Sequence, residues 1–284
     1  MRLAYLILAH DKPRQLARLF KALPADSPIF IHFDGWAKPE NWQQLTEILP
    51  DHPNVQLVRR HGCRWGSFGI VAGTLELIRG LVRSGVDFDY AALISGADYP
   101  IQSNAAIAGF LERGRGTEYM ESFPLDEPNR WDGNKGRYAA KNRYNFYYLW
   151  IRSRNFKLFR RKRPPLDMRL HGGSQWWVLS NGAINHIYQF ISKNKSYISY
   201  YRRTLIPDES FFQTIMSNSP YKDRISGSDV TFAIWNRPEP PYPAILGATD
   251  IPGMKASGKL FARKFDLGKQ DAFDEIDIQL RQHS

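Results

Sequence analysis

The 284-residue chain is 43% hydrophobic and carries a formal net charge of +11, with 39 Lys and Arg against 28 Asp and Glu. Length and apolar content fit one large α/β domain with at most a modest subdomain. The single cysteine, Cys63, excludes an intramolecular disulfide and no apolar run reaches 18 residues, while the positive balance points to polyanionic partners: nucleotide diphosphates, anionic lipid or nucleic acid.

Leu3 to Ala9 is a continuous apolar run, as expected of a strand buried on both faces. It resembles a signal peptide only superficially. It is short and passes straight into His10-Asp11-Lys12-Pro13, so it is expected to be the first core strand. Pro13 suits the first turn of a helix running to about Leu23, and Ile29–Phe33 reads as a second strand ending at Asp34-Gly35. Pro39 opens a helix through Leu49, Val55–Val58 is a third strand, and Phe68–Val82 has apolar residues at helical spacing. Tyr90–Ile94 is a fourth strand, followed by the turn Ser95-Gly96-Ala97-Asp98. Strands separated by helices predict a largely parallel sheet with helices on both faces. Further on, Gln175–Ser180 reads as a strand, Asn181–Lys193 and Pro207–Met216 as helices, and Phe261–Phe265 as a short strand. The proline-rich stretch Arg237–Pro243 must be extended loop.

The middle of the chain differs. Between Asp132 and Asp167 there are eleven basic residues and no acidic one, interleaved with aromatics. This stretch, about 132–167, is expected to be an insertion in a single domain spanning 1–284. Arg152, Arg154, Lys157, Arg160, Arg161, Lys162 and Arg163 would suit an anionic membrane, with Trp150, Phe156 and Phe159 entering the interface. A solvated helix face is the alternative.

In open parallel sheets ligands bind at the carboxyl ends of the strands, which selects His10, Asp34 and the Ser95–Asp98 turn. Asp34 suits a nucleotide base or ribose, and equally suits a turn. Asp87-Phe88-Asp89 has the pattern of a metal-binding acidic pair but precedes its strand, so it is expected at the opposite edge as a solvated turn. No close histidine pair has clear metal-ligand spacing. A departing diphosphate then needs cations, and Lys259, Arg263 and Lys264 fall within six residues, a run that by itself reads equally as solvated surface. Pro207-Asp208-Glu209 puts two carboxylates at a helix start. The pattern leaves open whether Glu209 is a general base or the pair merely suits the helix macrodipole.

Seven segments taken in order resemble one family, the core-2/I-branching N-acetylglucosaminyltransferases, which include the peptide O-xylosyltransferases. They are Ala4-Tyr5-Leu6-Ile7-Leu8-Ala9-His10, Ile31-His32-Phe33-Asp34, Arg64-Trp65-Gly66-Ser67, Leu93-Ile94-Ser95-Gly96-Ala97-Asp98-Tyr99-Pro100-Ile101, Gly173-Ser174-Gln175-Trp176-Trp177-Val178-Leu179, Pro207-Asp208-Glu209-Ser210-Phe211-Phe212 and Leu260-Phe261-Ala262-Arg263-Lys264-Phe265-Asp266. Together they cover residues 1 to about 268. The resemblance implies a GT-A fold, inversion at the anomeric carbon, a UDP-sugar co-substrate and no metal or other cofactor. It implies Glu209 as catalytic base, Lys264 on the donor diphosphate and Asp34 in the nucleotide pocket. His10, Arg64, Trp65, Ser95, Gly96 and Asp98 complete the expected donor site. Animal members pair the lysine with an upstream arginine. The matching position here is near Pro241, with no arginine, so Arg237 or Arg263 is expected to substitute. Trp176 and Trp177 are candidates to stack on acceptor sugars beside Asp208, although strand alternation sends at least one into the core.

Animal members also carry a membrane anchor and disulfides. Without either, this chain resembles a bacterial, cytoplasmic version working at the inner face of the membrane on a glycan, lipid-linked or peptide acceptor. The expected product class is surface polysaccharide or glycoconjugate, with GlcNAc, xylose or a related sugar transferred. The rivals are a basic nucleic-acid-binding protein and a carbohydrate-binding protein without catalysis. Asp34, Asp98 and Glu209 would repel phosphates and argue against the first, so no nucleic acid is expected; Glu209 and Lys264 argue against the second.

Overall fold

The computed structural model describes residues 1–133, 136–151, 154–161 and 164–278; Arg152, Lys162 and Arg163 of the basic run lie outside the described residues. The strands are β1 (Leu3–Ala9), β2 (Ile29–Phe33), β3 (Val55–Leu57), β4 (Tyr90–Ser95), β5 (Asp98–Pro100), β6 (Tyr119–Met120), β7 (Phe123–Pro124), β8 (Phe146–Ile151), β9 (Arg154–Arg160), β10 (His171–Gly172), β11 (Trp177–Ser180), β12 (Thr231–Ala233) and β13 (Phe261–Arg263). The helices are α1 (Pro13–Ala22), α2 (Pro39–Ile48), α3 (Phe68–Ser84), α4 (Asn104–Arg113), α5 (Ala140–Tyr144), α6 (Asn181–Lys193), α7 (Lys195–Tyr201), α8 (Phe211–Ser217), α9 (Ile251–Ser257) and α10 (Gln270–Ile276).

The central sheet runs β3-β2-β1-β4-β11-β6. Its first four strands are parallel and β11 is antiparallel to both neighbours, which gives the expected mostly parallel α/β sheet. Alternation explains why β1 and β2 are apolar throughout. Tyr5, Ile7, Ile29, Ile31 and Phe33 point to one face with Leu16 and Leu19 of α1. Ala4, Leu6 and Phe30 point to the other, against Val71, Leu75 and Ile78 of α3 and Ile184 and Ile187 of α6. α3 is stopped cleanly at both ends. The Ser67 hydroxyl accepts from the Gly69 amide, and Gly85 closes the helix at φ 68°.

A small second sheet, β12-β13-β5, sets Arg263 opposite Asp98. The basic segment does not present a helix face. Its core is an antiparallel ribbon of β8 and β9, rooted by the Tyr148 amide on the Arg203 carbonyl at 2.8 Å and by burial of Tyr148 against Leu205 and Ile206. Ile151, Phe156, Leu158 and Phe159 are exposed on it beside Arg154, Lys157 and Arg160. Phenylalanine and the β-branched or aromatic residues of β8 favour pleated pairing over helix, which explains the ribbon.

Candidate active site

Four loops meet at the carboxyl edge of the parallel strands. After β1 come His10, Asp11 and Lys12; after β2, Asp34–Trp36; after β3, His61–Trp65; after β4, Ser95–Ala97. Buried Gln15 stitches two of them to the chain after β13, since its side-chain amide donates to the Gly96 carbonyl at 2.9 Å and to the Phe265 carbonyl at 3.1 Å. The Phe265 amide in turn donates to the Ala97 carbonyl at 2.8 Å. Gly96 permits this approach, because a Cβ there would lie 2.9 Å from Leu16 and 3.2 Å from the Ala9 side chain.

Asp34 is buried, and its Oδ1 accepts from the amides of Trp36 at 2.8 Å and Cys63 at 3.0 Å, which ties the second loop to the third. His32 is buried one residue pair below. Its Nε2 accepts from the His61 amide at 2.8 Å, and burial lowers it to about 4, so it is a neutral packing group. Above this floor the Arg64 guanidinium lies 4.7 Å over the Trp36 ring, and Trp65, 67% exposed, packs edge-on to Tyr138 at 6.0 Å. These rings and the cation form an open platform of the kind that accepts a base or a sugar face. His10 is also exposed, 3.6 Å from Asp11. Cys63 lies where both Asp34 and Asp208 act on it. Burial first, then those two charges, push its thiol up to about 12, so it is a packing residue and not a nucleophile.

Asp98 differs from its expected role. It is 1% exposed, and its Oδ2 accepts from the Ser95 amide at 2.7 Å, contacts the Ser95 hydroxyl and faces Arg263 Nε at 3.6 Å. Burial pushes this carboxyl up and Arg263 opposes the push. Asp98 therefore shapes the Ser95 turn and faces Arg263, while its Oδ1 is buried with no hydrogen-bond partner among the described residues. Asp89, as expected, sits at the opposite edge, accepting from the Arg2 amide at 2.6 Å.

Both candidate second cations are already engaged. Arg263 is paired with Asp98 across 3.6 Å and stacks on Trp176 at 4.3 Å, with its Nε lacking a hydrogen-bond partner among the described residues. Arg237 holds buried Asp250 and donates to the Ile245 carbonyl at 3.0 Å. Moving either to a diphosphate would leave a buried carboxylate unpaired, a penalty of several kcal/mol (~3–5). Lys264 is in a different position. It is half-buried beside the Ser95–Ala97 turn, and its Nζ has only the Tyr242 carbonyl at 3.3 Å among the described residues. Burial, then Arg263, hold its ammonium below the usual lysine range.

Trp177 is in the core among Phe212 and its neighbours, as strand alternation predicts for at least one of the pair, and Trp176 is buried too, beneath Arg263, so neither ring is open to an acceptor.

Glu209 does not start a helix. The expected helix Pro207–Met216 is split into a 3₁₀ turn, Pro207–Glu209, and α8, with Ser210 between them at φ −144°. The Ser210 hydroxyl explains the break, since it donates to the His171 carbonyl at 2.6 Å and competes with helical pairing. The turn is pinned on both sides. The Ile206 amide donates to the Gly66 carbonyl at 2.8 Å, and the Gly173 amide to the Glu209 carbonyl at 2.9 Å. Gly173 is needed there, because a Cβ would fall 2.0 Å from the Glu121 carbonyl oxygen. The Glu209 side chain keeps 30% of its exposure and accepts from Arg143 Nη1 at 2.6 Å. Burial pushes this carboxyl up, and Arg143 is the main opposing influence. Arg143 is itself buried, donates from Nε to the Tyr138 carbonyl at 2.7 Å and stacks on Trp131 at 4.7 Å. Asp208 is buried beside Glu209, with Oδ1 lacking a hydrogen-bond partner among the described residues. Burial and then the Glu209 charge push it up to about 7. It lies too deep for the direct acceptor contact expected of it. Arg143 was not singled out from sequence. Its one signal was its place in a stretch with no acidic partner of its own.

Among the described residues no three His, Cys, Asp or Glu side chains gather as a metal site would require. No helix among them is long and apolar enough to cross a membrane.

The family model of the Core-2/I-Branching enzyme matches residues 3–255. Curated relatives include xylosyltransferase 1 of Homo sapiens, 28% identical over 247 residues that cover 84% of this chain and 24% of that protein. Xylosyltransferase 1 of Pan troglodytes is 28% identical, with 84% of this chain and 25% of that protein covered. Xylosyltransferase 2 of Rattus norvegicus is 26% identical, with 84% and 27% covered. The chain thus spans about a quarter of the length of the curated relatives it matches. With nearly its whole length matched by the family model, this chain belongs to the Core-2/I-branching enzyme family.

Proposed function

We propose that the protein is an inverting glycosyltransferase of GT-A type that moves GlcNAc, xylose or a related sugar from a UDP-sugar to an acceptor hydroxyl without a metal. The expected setting is synthesis of bacterial surface polysaccharide or glycoconjugate on the cytoplasmic side of the membrane. The observation that carries this reading is the Glu209–Arg143 pair, a carboxylate fixed by a pinned turn, still partly open, with one buried guanidinium opposing the upward push of burial. That is what a general base needs at neutral pH. Glu209 takes the proton of the acceptor hydroxyl as that oxygen bonds to the anomeric carbon. The bond from that carbon to the diphosphate breaks, its electron pair leaves on the phosphate oxygen, and the Lys264 ammonium stabilises the charge that develops. The nucleotide lies over the His10, Asp34, Arg64–Trp65 and Ser95–Gly96 loops. With Arg263 and Arg237 paired to Asp98 and Asp250, charge neutralisation falls to Lys264. The exposed apolar and basic side chains of the β8–β9 ribbon support contact with an anionic membrane carrying the acceptor.

Thermal shift with a panel of UDP-sugars in EDTA, followed by assay of released UDP, tests the reading. One UDP-sugar is expected to stabilise the fold and to be consumed slowly under chelation. Stabilisation and turnover only after Mn²⁺ is restored, or no response to any nucleotide sugar, would refute it.

A further inference from the structure

Three cations of the basic segment, Lys141, Arg160 and Arg161, line one opening. A cleft of about 380 Å³ lies between α5, the end of β9 and the chain leading into β10, and its lining includes Lys141, Tyr144, Arg160, Arg161, Arg169 and Tyr200. Asp126 is the lone carboxylate in its wall, and Arg169 already pairs with it at 2.9 Å and with Glu127. Lys141 and Arg160 are exposed at the mouth, with no carboxylate partner among the described residues.

The decisive side chain is Arg161. It is only 8% exposed, with its guanidinium 3.7 Å over the Tyr200 ring and 4.7 Å over Tyr147. Nη2 donates to the Arg203 carbonyl, but Nε and Nη1 are buried with no hydrogen-bond partner among the described residues. Buried guanidinium donors are normally satisfied, and a buried cation without a counter-charge is costly. The tyrosines compensate the charge in part, through their ring faces and through the Tyr200 hydroxyl. Burial accordingly holds this guanidinium below its ordinary range.

We propose that this cleft is an anion-binding site, separate from the donor site, that takes a phosphate group between the exposed Lys141 and Arg160 cations and the Arg161 guanidinium. Phosphate fits because its several acceptor oxygens can meet a guanidinium and two flanking cations at once. α5 connects the two sites. Its Lys141 and Tyr144 line the cleft, while its Arg143 holds Glu209. A phosphate on the acceptor, or in a lipid headgroup bearing it, would thereby be gripped one helix away from the base. That acceptor role rests on the transferase reading; anion binding itself does not.

The test is calorimetric titration of inorganic pyrophosphate into protein carrying Lys264→Ala, which weakens the donor diphosphate site. Binding is expected to persist there and to weaken by about tenfold or more when Lys141→Gln and Arg160→Gln are added. Both added substitutions are at exposed positions, so circular dichroism should show an unchanged fold. Arg161→Gln in the same background should abolish binding. Equal affinity with and without the Lys141 and Arg160 substitutions, or no binding in the Lys264→Ala protein, would overturn the proposal. Vesicles of phosphatidylcholine with and without phosphatidic acid identify the source. If the same substitutions release the protein from phosphatidic acid vesicles, the ligand is a headgroup; if only pyrophosphate binding falls, it is a soluble phosphate.

Discussion

Glu209→Gln is expected to lower kcat by about 10²–10⁴-fold while leaving UDP-sugar affinity nearly unchanged. Glutamine keeps the size of the side chain and can still meet Arg143, but it cannot accept the hydroxyl proton. The donor-side residues, Lys264 and the Asp34 and Ser95 loops, lie on other elements and are untouched. Steady-state kinetics with donor binding measured separately by thermal shift decides the matter. Near-normal turnover would end the assignment of Glu209 as base. A loss of donor binding equal to the loss of rate would show that Glu209 serves the donor. In the wild type, activity should fall as pH drops and Glu209 becomes protonated. Its carboxyl is pushed up by burial, so this acid limb should lie above the ordinary glutamate range.

Asp208→Asn is expected to stabilise the fold at neutral pH. The native carboxyl is pushed up to about 7 by burial and by Glu209. In the unfolded chain it titrates near about 3.9. The folded state therefore prefers the protonated form. Stability linked to this group is whole below about pH 4, declines as pH rises toward about 7, and stays at the lower level above that. Asparagine does not titrate, so its advantage over the wild type should be near zero at about pH 4 and grow to a plateau above about pH 7. The ceiling on that gain is about 4 kcal/mol. Urea unfolding of both proteins across this range measures it. An advantage that stays constant with pH would show that Asp208 is ionised throughout.

The fold was legible where one interaction decides local structure. Strands β1, β2 and β4 have uninterrupted apolar runs because both faces of a parallel sheet are covered, and α1 and α2 begin at prolines that cannot sit deeper in a helix. The loops at the strand ends followed from that topology alone. What was not legible depended on partners far apart in the chain. Ser210 breaks the helix expected over 207–216 because the His171 carbonyl claims its hydroxyl. Asp98 looks like a ligand in sequence and is a buried anchor, because β13 brings Arg263 opposite it. Strand alternation placed at least one of Trp176 and Trp177 in the core, but not that Arg263 would cover the other ring. Arg143 meets Glu209 across 66 residues, and no local pattern announces such a pairing. The likeness of whole motifs supplied what periodicity could not, namely the distinction of Glu209 and Lys264 from the other carboxylates and cations.

The most direct test follows the anomeric proton by NMR while the wild-type protein hydrolyses its UDP-α-sugar in EDTA, with water as acceptor. The β-anomer of the free sugar is expected to appear first and to equilibrate afterwards, because Glu209 drives one displacement from the face opposite the diphosphate. Early release of the α-anomer, or release only after Mn²⁺ is added back, would contradict it.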